Sequence, residues 1–175
     1  GGTPSREIGR YFEGDIPWLT SKDMQGDYIW DTQEHITEEA IRNSATKLVP
    51  AGSILVVVKS KVLMRRLPLA ITKRPLCHGQ DIKSIQCSEL VHPLYLVQVL
   101  KKNEQRLLMQ ARGANTEGLT LPMLWDVPVP VAPMALQLQF AGIVERFERL
   151  QIQQQEALRQ AEHLFQALLR LAFAG

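Results

Sequence analysis

The stretch Val127-Pro128-Val129-Pro130-Val131-Ala132-Pro133 divides this 175-residue chain into two regions of different character. Its three prolines are incompatible with a helix and favour an extended connector. The residues before it mix short apolar runs with turn signals, whereas the residues after it are typical of a helix. We therefore expect one domain over residues 1–133 and a separate helical region over residues 134–175.

The region after the connector has the composition of one long helix. Residues 134–173 contain no proline and a single glycine, Gly142. A strict 4-3 spacing predicts a helix-pairing seam that is apolar at both ends and polar in the middle: Phe140, Val144, Phe147, Gln151, Gln154, Leu158, Ala161, Phe165 and Leu168. At about 1.5 Å per residue the helix is about 60 Å long, more than a compact domain of this size can cover. An isolated solvated helix is disfavoured because the apolar residues form a stripe. We therefore expect a partner helix.

The region before the connector alternates β-like runs with turns and short helical segments. The predicted strands are Ile16–Thr20, Ser53–Lys59, Leu67–Thr72 and Asp81–Gln86. The predicted helical segments are Thr37–Ile41, with a hydroxyl cap and acids in its first turn, and Pro93–Met109, with apolar residues at helical spacing. This mixture predicts an irregular α+β domain with a small mixed or antiparallel sheet and short helices, followed by the long helix.

Charge is distributed unevenly along the chain. Residues 47–112 carry twelve Lys and Arg against three acids, a net charge of +9, whereas residues 1–46 carry −5 and residues 113–175 carry −2. A basic middle segment favours a polyanionic partner. The alternative, that these charges scatter over all faces of the fold, has equal weight at this point.

Composition excludes several classes of protein. The chain is 45% hydrophobic and 22% charged, which excludes a disordered protein. The longest purely apolar run, Ile54–Val58, is far shorter than a membrane span. The two cysteines, Cys77 and Cys87, are too few for a disulfide framework, and no apolar leader is present. We expect a soluble protein of the cytoplasm, with no membrane partner.

Motifs for catalysis or cofactor binding are incomplete. Residues 113–118 have the glycine spacing of a phosphate-binding loop, but Leu119 occupies the position of the essential lysine, so we interpret them as a flexible loop. Asp81-Ile82-Lys83 is half of a metal nuclease site without a second acid. We therefore predict no catalytic residues, no metal and no cofactor.

Cysteine, histidine and tryptophan residues are weak candidates for ligand binding in this sequence. Cys77-His78 with Cys87 and His92 lacks the paired spacing of a zinc site, and we interpret the group as a buried thiol near a surface histidine. Trp18, Trp30 and Trp125 could stack on bases, but core or rim positions are the favoured interpretation.

Several stretches resemble one known family, the specificity subunits of type I restriction-modification enzymes. The resemblance lies in Gly1–Arg6 with Tyr11–Met24, in Ile36–Ile41 with Ser44–Val56, in Leu67–Ile71 and Gln80–Lys83, in Val129-Pro130 with Pro133, and in Ala157–Glu162 with Phe165–Leu169 and Ala172-Phe173. It covers nearly the whole chain. Two features differ from the family pattern. Leu136 precedes Gln137 where the family usually has an acid, and only one recognition domain and one helix are present where complete subunits carry two of each.

The resemblance implies a non-catalytic DNA recognition role. The first domain would be a target recognition domain that reads one half of a bipartite double-stranded DNA sequence, and the helix would form an antiparallel coiled coil with a second helix. Methyl transfer would belong to methyltransferase (modification) subunits and ATP-driven cleavage to a restriction subunit. We interpret the chain as one half of a subunit, the C-terminal half, or alternatively as a natural half subunit that forms a homodimer.

Basic and polar residues in loops are the expected DNA-binding residues: Ser21, Lys22, Lys59, Ser60, Lys61, Arg65, Arg66, Arg112, Asn115 and Thr116. Arg65 and Arg66 have an alternative interpretation as surface ion pairs only. The competing function is a structural or adaptor protein that acts through its long helix. A stand-alone nuclease or methyltransferase is a third and weaker interpretation, since the motifs for it are incomplete.

Overall fold

The computed structural model describes residues 1–113 and 118–173 and divides the chain into two compact units. The first unit is Gly1–Met134 and the second begins at Ala135. In the described residues, no helix is both long and apolar enough to cross a membrane. Two small mixed sheets, short helices and one long C-terminal helix confirm the expected α+β class.

Seven strands and five α-helices make up the described structure. The strands are β1 (Ile16–Leu19), β2 (Tyr28–Ile29), β3 (Glu34–Ile36), β4 (Ile54–Val57), β5 (Leu69–Thr72), β6 (Cys77–His78) and β7 (Ile82–Ile85). The helices are α1 (Glu38–Arg42), α2 (Pro93–Lys102), α3 (Glu104–Gly113), α4 (Leu121–Trp125) and α5 (Met134–Ala172). Two 3₁₀ helices, Gly9–Phe12 and Lys61–Met64, complete the fold. All four predicted strands are present, each shorter than expected because the pairing stops before the turn residues.

The three-stranded sheet has β1 at its centre, antiparallel to β3 and parallel to β6. Trp18 of β1 is buried beside Ile36 and Cys77, and its ring packs edge-to-face against Phe12, with 5.9 Å between the ring centroids. The buried indole N–H donates a hydrogen bond of 3.1 Å to the carbonyl oxygen of Gly2. Trp18 is therefore a core residue, which is the role that the sequence favoured.

His78 is buried, which corrects the expectation of a surface histidine beside Cys77. Both residues of β6 are buried, since pairing with β1 carries this short strand into the interior. The ring Nδ1 of His78 lies 3.0 Å from the carbonyl oxygen of Gly79. Burial lowers the pKa of His78 and raises the pKa of Cys77. Over residues 1–113 and 118–173, no three His, Cys, Asp or Glu side chains are grouped as a metal site requires.

The four-stranded sheet has the order β2-β5-β4-β7. Strand β4 runs antiparallel to both β5 and β7, and β2 runs parallel to β5. All four residues of β4 are buried, as is typical of a strand that is covered on both faces. Leu55, Val57, Ala70 and Ile82 form the centre of its apolar core. Because β4 is held in this core, the position at which the chain leaves the strand, Val58, is fixed as well.

The short helices begin and end at polar residues. Thr37 caps α1 as predicted, and its hydroxyl oxygen accepts a hydrogen bond from the amide of Ala40. The predicted helix Pro93–Met109 is instead two helices, α2 and α3, which are interrupted at Asn103. The side chain of Asn103 donates to the carbonyl oxygen of Val99 at 2.8 Å, and such local bonds compete with a continuous helix.

The long helix α5 is confirmed, and it extends over 39 residues. Its rise of about 1.5 Å per residue gives a length of about 58 Å. From Ile143 onward most of its large apolar side chains are exposed, including Phe147, Leu158 and Phe165. Single exposed apolar residues are ordinary, but a continuous series along one helix indicates a surface for interaction.

Candidate nucleic-acid interface

The chain leaves β4 into a capped 3₁₀ helix that carries the basic residues outward. Ser60 caps this helix, and its hydroxyl oxygen accepts a hydrogen bond of 3.3 Å from the amide of Val62. Leu63 is buried and anchors the helix, whereas Lys61 and Met64 are exposed. The buried leucine thus holds the flanking side chains on the surface.

Arg112 reaches this 3₁₀ helix from the end of α3. Its guanidinium group donates a hydrogen bond of 2.6 Å to the carbonyl oxygen of Met64. Around this contact lies a cleft of about 530 Å³, lined by Lys59, Ser60, Lys61, Leu63, Met64, Asp81, Ala111, Arg112 and Gly118. Four of the residues that the sequence predicted for DNA binding, Lys59, Ser60, Lys61 and Arg112, therefore share one cleft.

Gly118 fixes the chain at the edge of the cleft. Its φ of 138° lies in a region that side chains with a Cβ rarely adopt, and an added Cβ would lie 2.4 Å from the carbonyl oxygen of Val58. The next amide, that of Leu119, donates to the same carbonyl oxygen at 2.7 Å. Asn115 and Thr116, also predicted to bind DNA, lie outside the described residues, as does most of the supposed phosphate-binding loop.

Arg65 and Arg66 follow the 3₁₀ helix and are exposed. The guanidinium group of Arg66 donates to the carbonyl oxygen of Met24 at 3.1 Å. This bond connects the basic segment to the turn that contains Ser21 and Lys22, which is closed by two hydrogen bonds from Thr20 to the carboxylate of Asp23. Lys22 is exposed and Ser21 is partly buried.

Within the described ranges, the cations of the cleft form no ion pairs. Across the part of the chain that the structure describes, no carboxylate forms an ion pair with Lys59, Lys61 or Arg112. The same holds for Arg65 and Arg66, for which surface ion pairs were the alternative interpretation. Among the described residues that line the cleft, Asp81 is the one acid. The cleft therefore carries an excess of positive charge.

A second exposed group, which the sequence did not reveal, lies at the other end of β5. The ammonium nitrogen of Lys73 lies 4.1 Å from the ring centroid of Tyr28 and 5.8 Å from that of Trp30, and Trp30 is 68% exposed. Arg66 precedes β5 and Lys73 follows it, so this group lies at the opposite end of the strand from Arg66. Only the parallel pairing of β2 with β5 brings Tyr28 and Lys73 together.

Asp31 lies beside this group and pairs with two basic side chains. Its carboxylate lies 2.8 Å from Nε2 of His35 and 3.6 Å from the guanidinium group of Arg74. The hydrogen bond with His35 lowers the pKa of Asp31. Trp125, the third tryptophan, is also exposed.

Comparison with known proteins assigns the family. The sequence profile described as "Type I restriction modification DNA specificity domain" matches residues 1–162. The chain belongs to the type I restriction-modification DNA specificity family. The expected resemblance is thus confirmed, and the family comprises DNA specificity domains, not the catalytic subunits of these systems.

Two curated members of this specificity family match a large part of the chain. It is 33% identical over 153 residues to the type I restriction enzyme EcoR124I/EcoR124II specificity subunit of Escherichia coli. The aligned region covers 86% of this chain and 38% of that protein. It is 30% identical over 158 residues to the type I restriction enzyme MjaIX specificity subunit of Methanocaldococcus jannaschii, with 86% and 35% covered. The chain therefore spans little more than a third of the length of these relatives.

Two solved structures have a fold similar to that of this chain. The HsdS subunit from Thermoanaerobacter tengcongensis gives a TM-score of 0.60 at 16% identity, covering 86% of this chain and 34% of that one. A second solved structure, which concerns complex assembly and conformational transition of a type I R-M system, contains a chain that also gives a TM-score of 0.60. Its sequence identity is 21%, and the match covers 98% of this chain and 40% of that one. At these identities the likeness concerns the fold alone.

Proposed function

We propose that this chain recognises one half of a bipartite double-stranded DNA sequence for a type I restriction-modification system. The observation that carries the proposal is the grouping of Lys59, Lys61 and Arg112 around one cleft, in a chain of the DNA specificity family. Arg112 lies more than 50 positions from Lys59 and Lys61 in the sequence, and two different elements bring the three residues together. Charge that is concentrated in this way fits a polyanion better than charge scattered over all faces.

The cleft residues suit the two kinds of contact that DNA offers. Lys59 and Lys61 are exposed ammonium groups that can contact phosphates, and the Ser60 hydroxyl can share such a contact. Arg65 is an exposed guanidinium group that can bind a guanine edge through two hydrogen bonds. We assign Ser21, Lys22 and Arg66 to the flank of this surface because Arg66 joins the two segments. Phosphate contacts should make the affinity strongly dependent on salt.

The helix α5 is proposed to pair antiparallel with a second helix of the same kind. Its seam residues from Val144 to Leu168 are exposed or partly exposed, and a helix with large apolar residues along one stripe is stabilised when that stripe is covered. The second helix would come from another specificity half or from a second copy of this chain. Such a pair would separate two recognition domains, so that the length of α5 sets the spacing between the half-sites.

The remaining parts of the system are proposed partners. The methyltransferase (modification) subunits would carry out methyl transfer and the restriction subunit would cut DNA, so this chain itself needs no cofactor. A role on genomic DNA would place the complex in the cytoplasm. The competing adaptor function is favoured by one observation, the exposed apolar surface of α5, and it predicts no preference for any DNA sequence.

Binding titrations of the purified chain against duplex DNA at several salt concentrations test the proposal. We expect salt-dependent binding and a preference for some sequences. Lys61→Ala should weaken binding to all sequences alike and reduce the salt slope by about one unit, because one phosphate contact is lost. Arg149→Ala, which removes an exposed cation from α5, is the matched control and should leave the slope unchanged. Equal slopes for Lys61→Ala and the parent chain would contradict the role of the cleft.

A further inference from the structure

Met64 is an exposed apolar side chain in the middle of the basic surface. It ends the 3₁₀ helix Lys61–Met64, lines the same cleft as Lys61 and Arg112, and is followed directly by Arg65. The residue is 64% exposed to solvent. Met64 lines the cleft whose cations we assign to phosphate contacts, so its exposed side chain is placed to contact the same ligand.

The backbone of Met64 is held in place before any ligand binds. Arg112 donates its 2.6 Å hydrogen bond to the Met64 carbonyl oxygen, and the Ser60 cap closes the other end of the same short helix. Leu63, the preceding residue, is buried and anchors the turn in the domain. A side chain on a fixed backbone loses less conformational entropy on binding than one on a free loop.

The chemistry of duplex DNA limits what this side chain can contact. Base edges in the major groove present hydrogen-bond donors and acceptors and one apolar group, the C5 methyl group of thymine. Phosphates lie on both sides of that groove, within reach of neighbouring cations. We propose that Met64 is a specificity-determining residue that packs against a thymine methyl group of the half-site, an inference that rests on the proposed function.

Removal of single methyl groups from the DNA tests this contact directly. A preferred duplex is first selected from a random-sequence library with the purified full chain. Each thymine of that duplex is then replaced in turn by deoxyuridine, which lacks only the C5 methyl group. At one position we expect the affinity of the parent chain to fall about fourfold, the effect of exposing one methyl-sized apolar group.

Variants of the chain assign that effect to one side chain. In Met64→Ala the deoxyuridine penalty at this position should disappear, whereas Met64→Leu, which keeps an apolar contact, should retain it. Met109→Ala is the matched control, because Met109 is also 64% exposed and lies on the adjoining α3, and it should retain the full penalty. Should Met64→Ala fail to fold, Met64→Gln keeps the length of the side chain and carries the same expectation.

Three results would overturn the assignment of Met64: a selected duplex in which no thymine shows the penalty, a penalty that persists in Met64→Ala, or one that is lost equally in Met109→Ala. Each leaves DNA recognition by the chain intact. Failure of the parent chain to bind any duplex would instead remove the proposed function, and the role of Met64 with it. The two failures are therefore distinguishable.

Discussion

Strand β4 and helix α5 are both rich in apolar residues, but their burial is opposite. Leu55 in β4 is fully buried, whereas Leu158 in α5 is 61% exposed. The strand is covered by the sheet and core of its own unit, whereas most of the large apolar side chains of the helix are exposed. Similar hydrophobicity therefore stabilises the fold in one region and leaves an apolar surface exposed in the other.

The largest expected effect comes from shortening α5. Deletion of the heptad from Gln151 to Ala157 keeps the apolar seam in phase and shortens the helix by about 10 Å, roughly three base steps of B-form DNA. In an assembled enzyme we expect modification at the original spacer to be abolished, while the half-site that we propose residues 1–133 to recognise is unchanged. Genome-wide mapping of methylated sites measures both.

A control for this deletion keeps the length of α5. Replacing the same seven residues by another helical heptad with the same apolar positions should preserve the original spacer. If the shortened variant assembles and still modifies the original bipartite target, α5 does not set the spacing between the half-sites. Strand β4 and helix α5 would then differ in exposure to solvent only.

Paired truncations in the two regions should differ in size. Leu55→Ala leaves a cavity in the core and should lower the free energy of unfolding by about 2–5 kcal/mol. Leu158→Ala should change it by less than about 0.5 kcal/mol in dilute solution, because the side chain is already exposed. Urea unfolding at several protein concentrations measures both values, and pairing through α5 should make only the Leu158→Ala effect grow with concentration. Equal effects at high dilution would show that the helix is covered within a single chain.

Two glycines should respond in opposite directions. Gly118→Ala places a Cβ against the Val58 carbonyl oxygen at a positive φ and should destabilise the first unit by about 1–3 kcal/mol. Gly142→Ala meets no atom within 4 Å in α5 and should stabilise the helix by about 0.5–1 kcal/mol. Thermal unfolding followed by circular dichroism measures both changes. A destabilised Gly142→Ala variant would contradict the description of α5 as a helix open to solvent at that position.

The smallest expected effect is a dependence of stability on pH that arises from His78. Burial lowers the pKa of this histidine in the folded chain, so the unfolded chain binds more protons just below the ordinary histidine pKa of about 6.5. The stabilisation is complete above that pH and is lost as the pH falls from about 6.5 toward the lowered pKa. His78→Gln should reduce the slope of unfolding free energy against pH in this window. His163→Gln, on the exposed face of α5, is the control and should leave the slope unchanged.

Much of the secondary structure was predictable because its signals are local. The absence of proline after Pro133 and the 4-3 apolar spacing predicted α5, and Thr37 before two acids predicted the cap of α1. The break at Asn103 was missed, since apolar periodicity continues across it and only the side-chain bond to Val99 reveals the interruption. Local signals therefore gave the elements more reliably than their ends.

The candidate site was predictable in residue type but not in arrangement. Basic character between residues 47 and 112 indicated a polyanion partner, and the family resemblance indicated DNA. That Arg112 meets Met64, that Arg66 meets Met24, and that Lys73 faces Tyr28 follow from strand pairing and helix packing. Each pair joins residues more than 40 positions apart, a separation over which local propensity carries no information.

Composition, short-range periodicity and motif order establish the α+β class, the long amphipathic helix and the family without any knowledge of the tertiary structure. The tertiary structure alone decided that His78 is buried, that Lys59, Lys61 and Arg112 line one cleft, and that Met64 stands exposed among them. The physical reason is that burial and clustering depend on which distant segments the two sheets bring together. Sheet register is set by the packing of the whole core, not by any one stretch of sequence.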